Sequence, residues 1–256
     1  MLLKEKLEYH YKAFDRSSIA PDPLQFLHMF SDRKDIELIG FMASVFAYGN
    51  VKQILNTLNE ILRISKREPY SYIMNFCAEE EITLKHRFYT SNDIKMLFLL
   101  LKKIYKHYGS IEKAFMDNYT ASDDNIGKTL SGFTAFMLSI AESLTGIGKI
   151  SQGIKFMFPD PLSGSACKRL NLFLRWMVRK DELDFGLWKG IRANQLVIPV
   201  DTHIARISRE LNLTSRTNIS WKMAEEITEN LKRYDPVDPV KYDFALCHIG
   251  MRKLTF

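Results

Sequence analysis

The chain has 256 residues, 46% hydrophobic and 12% aromatic, which is enough apolar material for a buried core and excludes a disordered chain. Its net charge is +6, and its cysteines, Cys77, Cys167 and Cys247, are widely spaced. This cysteine pattern excludes a four-cysteine zinc or iron–sulfur site and favours a reducing compartment. The longest uncharged apolar run, residues 38–48, is too short to span a bilayer, so we expect a cytoplasmic protein with no membrane partner.

Helical periodicity recurs along the chain. Apolar residues repeat at three- and four-residue steps within 36–46, 54–62, 94–105 and 170–177, as in amphipathic helices. Helix N-caps are predicted at Asp22, Ser110, Asp201, Ser220 and Asp238, and helix ends at Gly49-Asn50 and Gly109. No segment alternates with period two, so no sheet is predicted. We therefore expect an all-α fold.

The least helical stretch runs from residue 145 to residue 164. It contains four glycines together with Pro159 and Pro161, a composition typical of a hinge, although a well-packed loop is equally compatible. We expect a single helical unit over residues 1–256 that has two lobes, 1–145 and 146–256, with a cleft between them.

Positive charge is concentrated in one part of the chain. Between residues 149 and 180 there are seven cations and one anion, Asp160, so this segment alone carries a charge equal to that of the whole chain. The cations are Lys149, Lys155, Lys168, Arg169, Arg175, Arg179 and Lys180. Such a cluster predicts a polyanion docking at one face, although a solvated helix surface is the more ordinary explanation of a charge run.

Residues 161–168 read Pro-Leu-Ser-Gly-Ser-Ala-Cys-Lys before a predicted helix. A glycine and small residues at a helix start leave backbone N–H groups that can hold a phosphate. Lys168 falls in the first turn, where an amine held near a carboxylate could act as a nucleophile. An ordinary cap followed by a solvent-facing lysine fits the same residues.

A second segment, residues 197–207, delivers Asp201 to the start of another helix. Aspartate is a favoured N-cap, so capping alone would explain it. His203 lies in the first turn, where the helix dipole disfavours a protonated imidazole, so we expect a hydrogen-bonding role for it rather than a role as base.

Together the two segments resemble the helix-hairpin-helix DNA glycosylase superfamily, which includes endonuclease III and the 8-oxoguanine glycosylases. Val200-Asp201-Thr202-His203-Ile204 is similar to the aspartate segment of endonuclease III, and the resemblance covers about residues 150–250. It implies that a glycine turn grips the DNA backbone. It also implies that Lys168 is the Schiff-base nucleophile and that Asp201 activates it and stabilises positive charge on the sugar.

The chain departs from the superfamily in identifiable ways. Residues 161–165 replace the usual Leu-Pro-Gly-Val-Gly hairpin, and only Cys247 follows Asp201, so the iron–sulfur loop of endonuclease III is missing. Asp201 follows Lys168 by 33 residues, a long gap that is similar to that of the archaeal 8-oxoguanine glycosylase branch. The whole chain also resembles a bacterial family without an assigned function, in blocks 85–89, 164–179, 199–213 and 235–250.

The resemblance implies a DNA repair glycosylase, possessing or lacking AP-lyase activity, that excises an oxidised purine from double-stranded DNA. We expect a monomer that needs no cofactor or metal, with Lys168 and Asp201 as catalytic residues. The predicted DNA contacts are Gly164, Ser165, Arg169, Arg175 and His203, and the predicted base pocket is Tyr48, Phe88 and Trp188. Tyr242 and Asp243 receive no role. The alternative is a non-catalytic helical DNA- or RNA-binding protein on the same scaffold.

Overall fold

The structure, a computed structural model, describes residues 2–252 and the side chains of residues 2–249. That part of the chain folds into α-helices joined by turns and short 3-10 helices, with no β-strand. The all-α prediction is therefore confirmed. Within the same residues, no helix is both long and apolar enough to cross a bilayer.

The α-helices follow one another as α1 (Leu3–Lys12), α2 (Arg33–Phe46), α3 (Val51–Ile64), α4 (Pro69–Asn75), α5 (Ser91–Tyr108), α6 (Ile111–Met116), α7 (Gly127–Thr145), α8 (Gln152–Met157), α9 (Lys168–Val178), α10 (Thr202–Glu210), α11 (Trp221–Lys232) and α12 (Asp243–Arg252). The 3-10 helices are Arg16–Ser18, Pro23–Met29, Pro161–Ser163, Ala193–Gln195 and Pro239–Tyr242. The four periodic runs identified in the sequence correspond to α2, α3, α5 and α9.

Most of the predicted helix boundaries are confirmed. The side chains of four predicted N-caps accept backbone N–H groups of the first turn: Asp22, Ser110, Asp201 and Ser220. Gly109 ends α5 in the left-handed conformation, with φ +78°.

Asp238 is the N-cap of the 3-10 helix Pro239–Tyr242, as predicted, although its side chain makes no capping bond and its carboxylate binds Arg179 instead. One boundary prediction was wrong. The pair Gly49-Asn50 does not end a helix, since α2 stops at Phe46 and Asn50 accepts the Lys52 N–H as the N-cap of α3.

The chain divides into two compact units. The terminal unit contains Met1–Ala20, Thr120–Lys128 and Pro161–Phe256, and the central unit contains Pro21–Tyr119 and Thr129–Asp160. These ranges interleave, unlike the single division after residue 145 expected from the sequence. One reason is that α1 packs against the last helix of the chain: Tyr242 donates to Glu8 at 2.5 Å, and the Phe14 and Phe244 rings lie 5.5 Å apart.

The central unit is organised around α2. Most residues of this helix are buried, and the Phe41 ring contacts those of Phe133 and Phe158. The buried Glu37 of α2 accepts hydrogen bonds from the Tyr105 hydroxyl at 2.7 Å and the Ile111 N–H at 2.9 Å. A buried carboxylate thus ties α2, α5 and α6 together, as buried polar groups require partners.

Candidate functional site

Lys168 is the first residue of α9 and is half-buried in the terminal unit. The residue before it, Cys167, is buried and adopts the left-handed conformation, with φ +47°. A non-glycine residue in that region is strained and persists only where its surroundings hold it. Here Asn171 donates its backbone N–H to Cys167 O at 3.0 Å and its side-chain amide to Ala166 O at 3.1 Å. The start of α9, and with it the origin of the Lys168 side chain, is therefore fixed.

Asp201 is the N-cap of α10, as predicted, and is also half-buried. Its Oδ1 atom accepts both the His203 N–H at 2.9 Å and the Ile204 N–H at 3.0 Å. Within residues 2–252, its Oδ2 atom accepts no hydrogen bond that would compete with a ligand. Capping thus uses one oxygen and leaves the negative charge and the second oxygen for another partner.

Asp243 connects the two predicted catalytic residues. It begins α12, is 3% exposed, and its carboxyl interacts electrostatically with both Asp201 and Lys168. Burial raises the pKa of Asp243 from its ordinary 3.8 to about 6, and the Asp201 charge adds to the rise, while Arg175 and Lys168 oppose it. In the terminal unit, the charges of Lys168 and Asp201 therefore both act on one buried carboxyl group.

Arg175 lies seven residues after Lys168 on α9 and binds the Asp243 carboxyl group. Its Nη1 donates to Asp243 at 2.5 Å, and its Nη2 donates to Asp184 at 3.2 Å. Arg175 and Asp184 are buried almost completely, so the charges are screened little by solvent. Arg175 therefore links two buried aspartates, Asp184 and Asp243, through ion pairs.

The ion pairs continue to Arg179, the residue that follows α9. Arg179 binds Asp184, which it shares with Arg175, and also Asp181 at 2.9 Å and Asp238 at 2.7 Å. The surrounding carboxylates raise the pKa of Arg179 further, although its burial acts in the opposite direction. Two arginines and four aspartates thus form one network, in which Asp181 and Asp238 are partly exposed.

No role was predicted for Asp243 from the sequence. One signal was available: an acidic residue opens a segment, Phe244-Ala245-Leu246, that is otherwise apolar and buried. Such a residue reads equally well as an acidic first-turn residue that complements the helix dipole. Only the folded chain shows that it faces α9 and α10.

The predicted basic face is not a single surface. Arg169, Arg175 and Arg179 are buried, and the last two are neutralised by aspartates. Lys149 and Lys155 belong to the central unit, whereas the other cations belong to the terminal unit. The prediction that Arg169 and Arg175 contact DNA phosphates was therefore wrong, because α9 turns these side chains toward the interior.

The predicted phosphate-binding turn is already bonded within the protein. The Gly164 N–H donates to Pro161 O at 2.9 Å, and Gly164 O accepts the Trp221 N–H at 3.0 Å. Ser165 Oγ accepts the Cys167 N–H at 3.3 Å. The 3-10 helix Pro161–Ser163 directly precedes this turn, and the α-helix before it, α8, ends at Met157.

An open groove of about 250 Å³ lies beside this turn, next to Pro161 and Leu162. Its charged lining consists of Asp123, Asp124, Glu225 and Lys128. The excess of carboxylates repels phosphate, so the groove gives no support to Gly164 and Ser165 as DNA contacts.

The predicted base-pocket residues separate into two places. Trp188 is 1% exposed and packs edge-to-face on Phe173 with ring centroids 5.2 Å apart, so it is a core residue of the terminal unit. Tyr48 and Phe88 lie together in the central unit, with parallel rings 6.2 Å apart. His203 is half-buried in the first turn of α10.

The comparison with known sequence families gives one match. The profile of a family described as "Protein of unknown function (DUF2400)" matches residues 22–252. No curated protein matches the chain, and no solved structure matches it. Since the profile covers most of the sequence, from α2 and the 3-10 helix before it to the end of α12, the chain belongs to the DUF2400 family.

Proposed function

We propose that the protein is a DNA glycosylase with AP-lyase activity that removes a damaged purine from double-stranded DNA. The observation that carries the proposal is that Lys168 and Asp201 both interact electrostatically with the buried Asp243. Displacement of a base by an amine uses a nucleophilic amine and nearby carboxylates. Here the amine is that of Lys168, and the carboxylates are Asp201 and Asp243, the second of which has a raised pKa. The choice of an oxidised purine rests on the resemblance to the archaeal 8-oxoguanine branch.

In this mechanism the damaged nucleotide leaves the base stack, because its glycosidic carbon is unreachable within the duplex. The neutral Lys168 amine attacks the sugar C1′, a C–N bond forms, and the glycosidic bond breaks with departure of the base. The Asp201 Oδ2 atom, which capping leaves available, stabilises the positive charge that develops on the sugar. Loss of a proton and opening of the sugar ring give the Schiff base, from which β-elimination cleaves the strand.

Asp243 acts through Lys168. The ionised Asp243 carboxylate attracts the Lys168 amino group electrostatically, while Asp201 is the carboxylate that the resemblance assigns to activating the amine. Because the pKa of Asp243 is about 6, the group is ionised at pH 7 and protonated at pH 5. We therefore expect base release to fall as the pH drops through 6. Arg175 is a positioning residue that holds the Asp243 carboxyl group in place.

The experiment is a base-release and strand-nicking assay on duplexes that each contain one 8-oxoguanine, one uracil or one abasic site. We expect base release from the 8-oxoguanine duplex, nicking of the abasic duplex and a loss of both activities of at least about 10³-fold in Lys168→Gln, because removing a nucleophile leaves little catalysis. Lys180→Gln is the matched control, since Lys180 is an exposed lysine of the same segment.

Two results would contradict the proposal. One is base release by Lys168→Gln at the rate of the wild type. The other is the absence of base release and nicking on every duplex by wild-type protein that binds DNA, which would leave the non-catalytic binding protein as its function.

A further inference from the structure

A tight turn in the central unit projects two side chains into solvent. His86 and Tyr89 are bridged by two backbone hydrogen bonds, His86 N to Tyr89 O at 3.0 Å and Tyr89 N to His86 O at 2.8 Å. Both residues are buried, whereas Arg87 and Phe88 between them are exposed. Arg87 is held at φ +53°, a strained conformation for a side chain other than glycine.

Buried contacts hold the base of the turn rigidly. Thr57 Oγ1 lies 2.8 Å from His86 Nδ1, and the Tyr48 hydroxyl donates to His86 O at 3.0 Å. The positions of Arg87 and Phe88 are therefore set before any ligand arrives. Such preorganisation lowers the entropic cost of binding.

Three aromatic rings meet at the tip of the turn. The Tyr48 and Phe88 rings are nearly parallel, with centroids 6.2 Å apart, and the Phe156 ring stands edge-on at 5.2 Å from Tyr48 and 6.3 Å from Phe88. Phe88 is 68% exposed and Phe156 is 44% exposed. Single exposed apolar residues are ordinary, but a contiguous group marks a binding surface.

Arg87 covers this aromatic group with positive charge. Its guanidinium lies 5.4 Å from the centroids of both Tyr48 and Phe88, a cation–π distance. Within residues 2–252 it forms no ion pair with a carboxylate. Its charge is thus open to an anionic ligand.

The chain around the platform is basic as well as aromatic. Residues 48–52, 85–90 and 152–157 supply the three rings, and their charged residues are all cations. These are Lys52, Lys85, Arg87 and Lys155, all of them exposed. A ligand with flat π faces and regular negative charges fits this surface, which is the chemistry of unstacked bases joined by phosphates.

We propose that Tyr48, Arg87, Phe88 and Phe156 form a platform that stacks the bases of an unpaired nucleic-acid strand. Phe88 stacks on a base, and Arg87 and the neighbouring lysines bind the phosphates. The proposal does not rest on the lysine chemistry proposed above, because the platform belongs to the central unit and Lys168 belongs to the terminal unit.

The test is a fluorescence-anisotropy titration with an undamaged, fluorescein-labelled single strand of twelve nucleotides and with the matching duplex. We expect tighter binding to the single strand, and a Kd for Phe88→Ala that is raised at least about five-fold, since stacking one base on an aromatic ring contributes about 1–3 kcal/mol. Phe88→Trp keeps the affinity, and its fluorescence is quenched when a base stacks on the indole.

Tyr9→Ala is the control, because Tyr9 is an aromatic residue of α1 in the terminal unit that is 64% exposed. Its Kd stays at the wild-type value. A Kd for Phe88→Ala within two-fold of the wild type, or unquenched fluorescence of bound Phe88→Trp, would overturn the platform. Strand binding that persists while no duplex loses a base would sink the glycosylase proposal and leave the platform standing.

Discussion

Asp201 caps α10 with one carboxylate oxygen and leaves the other oxygen for the role proposed above. Its two capping bonds converge on Oδ1, so the cap requires an acceptor oxygen and makes no demand on the negative charge or on Oδ2. Substitutions can therefore separate the two roles. Asparagine caps helices as well as aspartate does but is neutral, whereas alanine removes the cap and the charge together.

We predict that Asp201→Asn keeps the free energy of unfolding close to that of the wild type while base release falls by at least about 10²-fold, a typical loss when one electrostatic stabiliser is removed. Asp201→Ala loses the same activity and about 1 kcal/mol of stability as well. Urea denaturation and the base-release assay measure the two effects. Wild-type activity in Asp201→Asn would show that the residue is a cap and nothing more.

The buried Asp243 gives stability a specific pH dependence. Its pKa is about 6 in the folded protein against 3.8 ordinarily, so the native state binds the proton more tightly than the unfolded state does. The contribution of this carboxyl group to stability is then highest below pH 4 and falls as the pH rises to 6. At 1.36 kcal/mol for each pH unit, the loss is about 3 kcal/mol.

Urea unfolding of the wild type and of Asp243→Asn at pH 4 and pH 7 measures this dependence. The asparagine variant has no proton to lose at this position, so we expect the stability of the wild type relative to the variant to drop between the two pH values. If the wild type and Asp243→Asn differ in stability by the same amount at pH 4 and pH 7, then Asp243 titrates at its ordinary pKa.

At the scale of elements, α9 shows what periodicity can and cannot predict. The apolar residues of 170–177 correctly predicted a helix. The burial of Arg175 and Arg179 was not predictable, because a buried arginine is stable only if carboxylates meet it. Asp181 and Asp184 are near in sequence, but the other two carboxylates come from distant positions. Asp243 lies 68 residues beyond Arg175, and Asp238 lies 59 residues beyond Arg179. Local sequence therefore suggested a basic surface where the fold forms an ionic core.

The ionic core predicts a large difference between two arginine variants. Arg175→Met leaves Asp243 and Asp184 buried with a lost partner, and breaking a buried pair in this way costs about 3–5 kcal/mol. Arg63→Met is the control, because Arg63 pairs with Glu60 on an exposed helix surface and its loss leaves the unfolding midpoint unchanged. Thermal and urea unfolding compare the two. Equal midpoints would show that the network contributes nothing to stability.

Gly49 supports the platform turn by leaving room for Arg87. A Cβ atom on Gly49 would lie 2.7 Å from Arg87 Cδ and closer still to Nη1, and the residue has φ +89°. We predict that Gly49→Ala displaces the guanidinium and raises the Kd for the single strand. Gly109→Ala is matched to it, since Gly109 has φ +78° and open space around it. It costs about 1 kcal/mol through backbone strain and leaves the Kd unchanged.

Calorimetry and the anisotropy titration distinguish these two glycine variants. We expect both glycine variants to be less stable than the wild type and only Gly49→Ala to bind the single strand more weakly. An affinity loss of the same size in Gly109→Ala would mean that strand binding responds to general destabilisation of the central unit.

At the scale of the whole molecule, the fold class was predictable and the division into units was not. Helical period and capping residues are local signals, so they identified the helices correctly. The terminal unit instead depends on α1 meeting the far end of the chain, with Glu8 accepting from Tyr242 234 residues later. A pairing of Lys168 with Asp201 is implied by the resemblance and stays a prediction, whereas the ion pair of Arg175 with Asp243 required the tertiary structure.

The central claim is that Lys168 forms a covalent bond with the sugar, and borohydride trapping tests it most directly. A duplex with an abasic site is incubated with the protein and sodium borohydride, and the adduct is digested and mapped by mass spectrometry. We expect a reduced adduct on the peptide that contains Lys168. It forms with the wild type and with Lys180→Gln but not with Lys168→Gln. An adduct on another lysine, or equal trapping by Lys168→Gln, would contradict it.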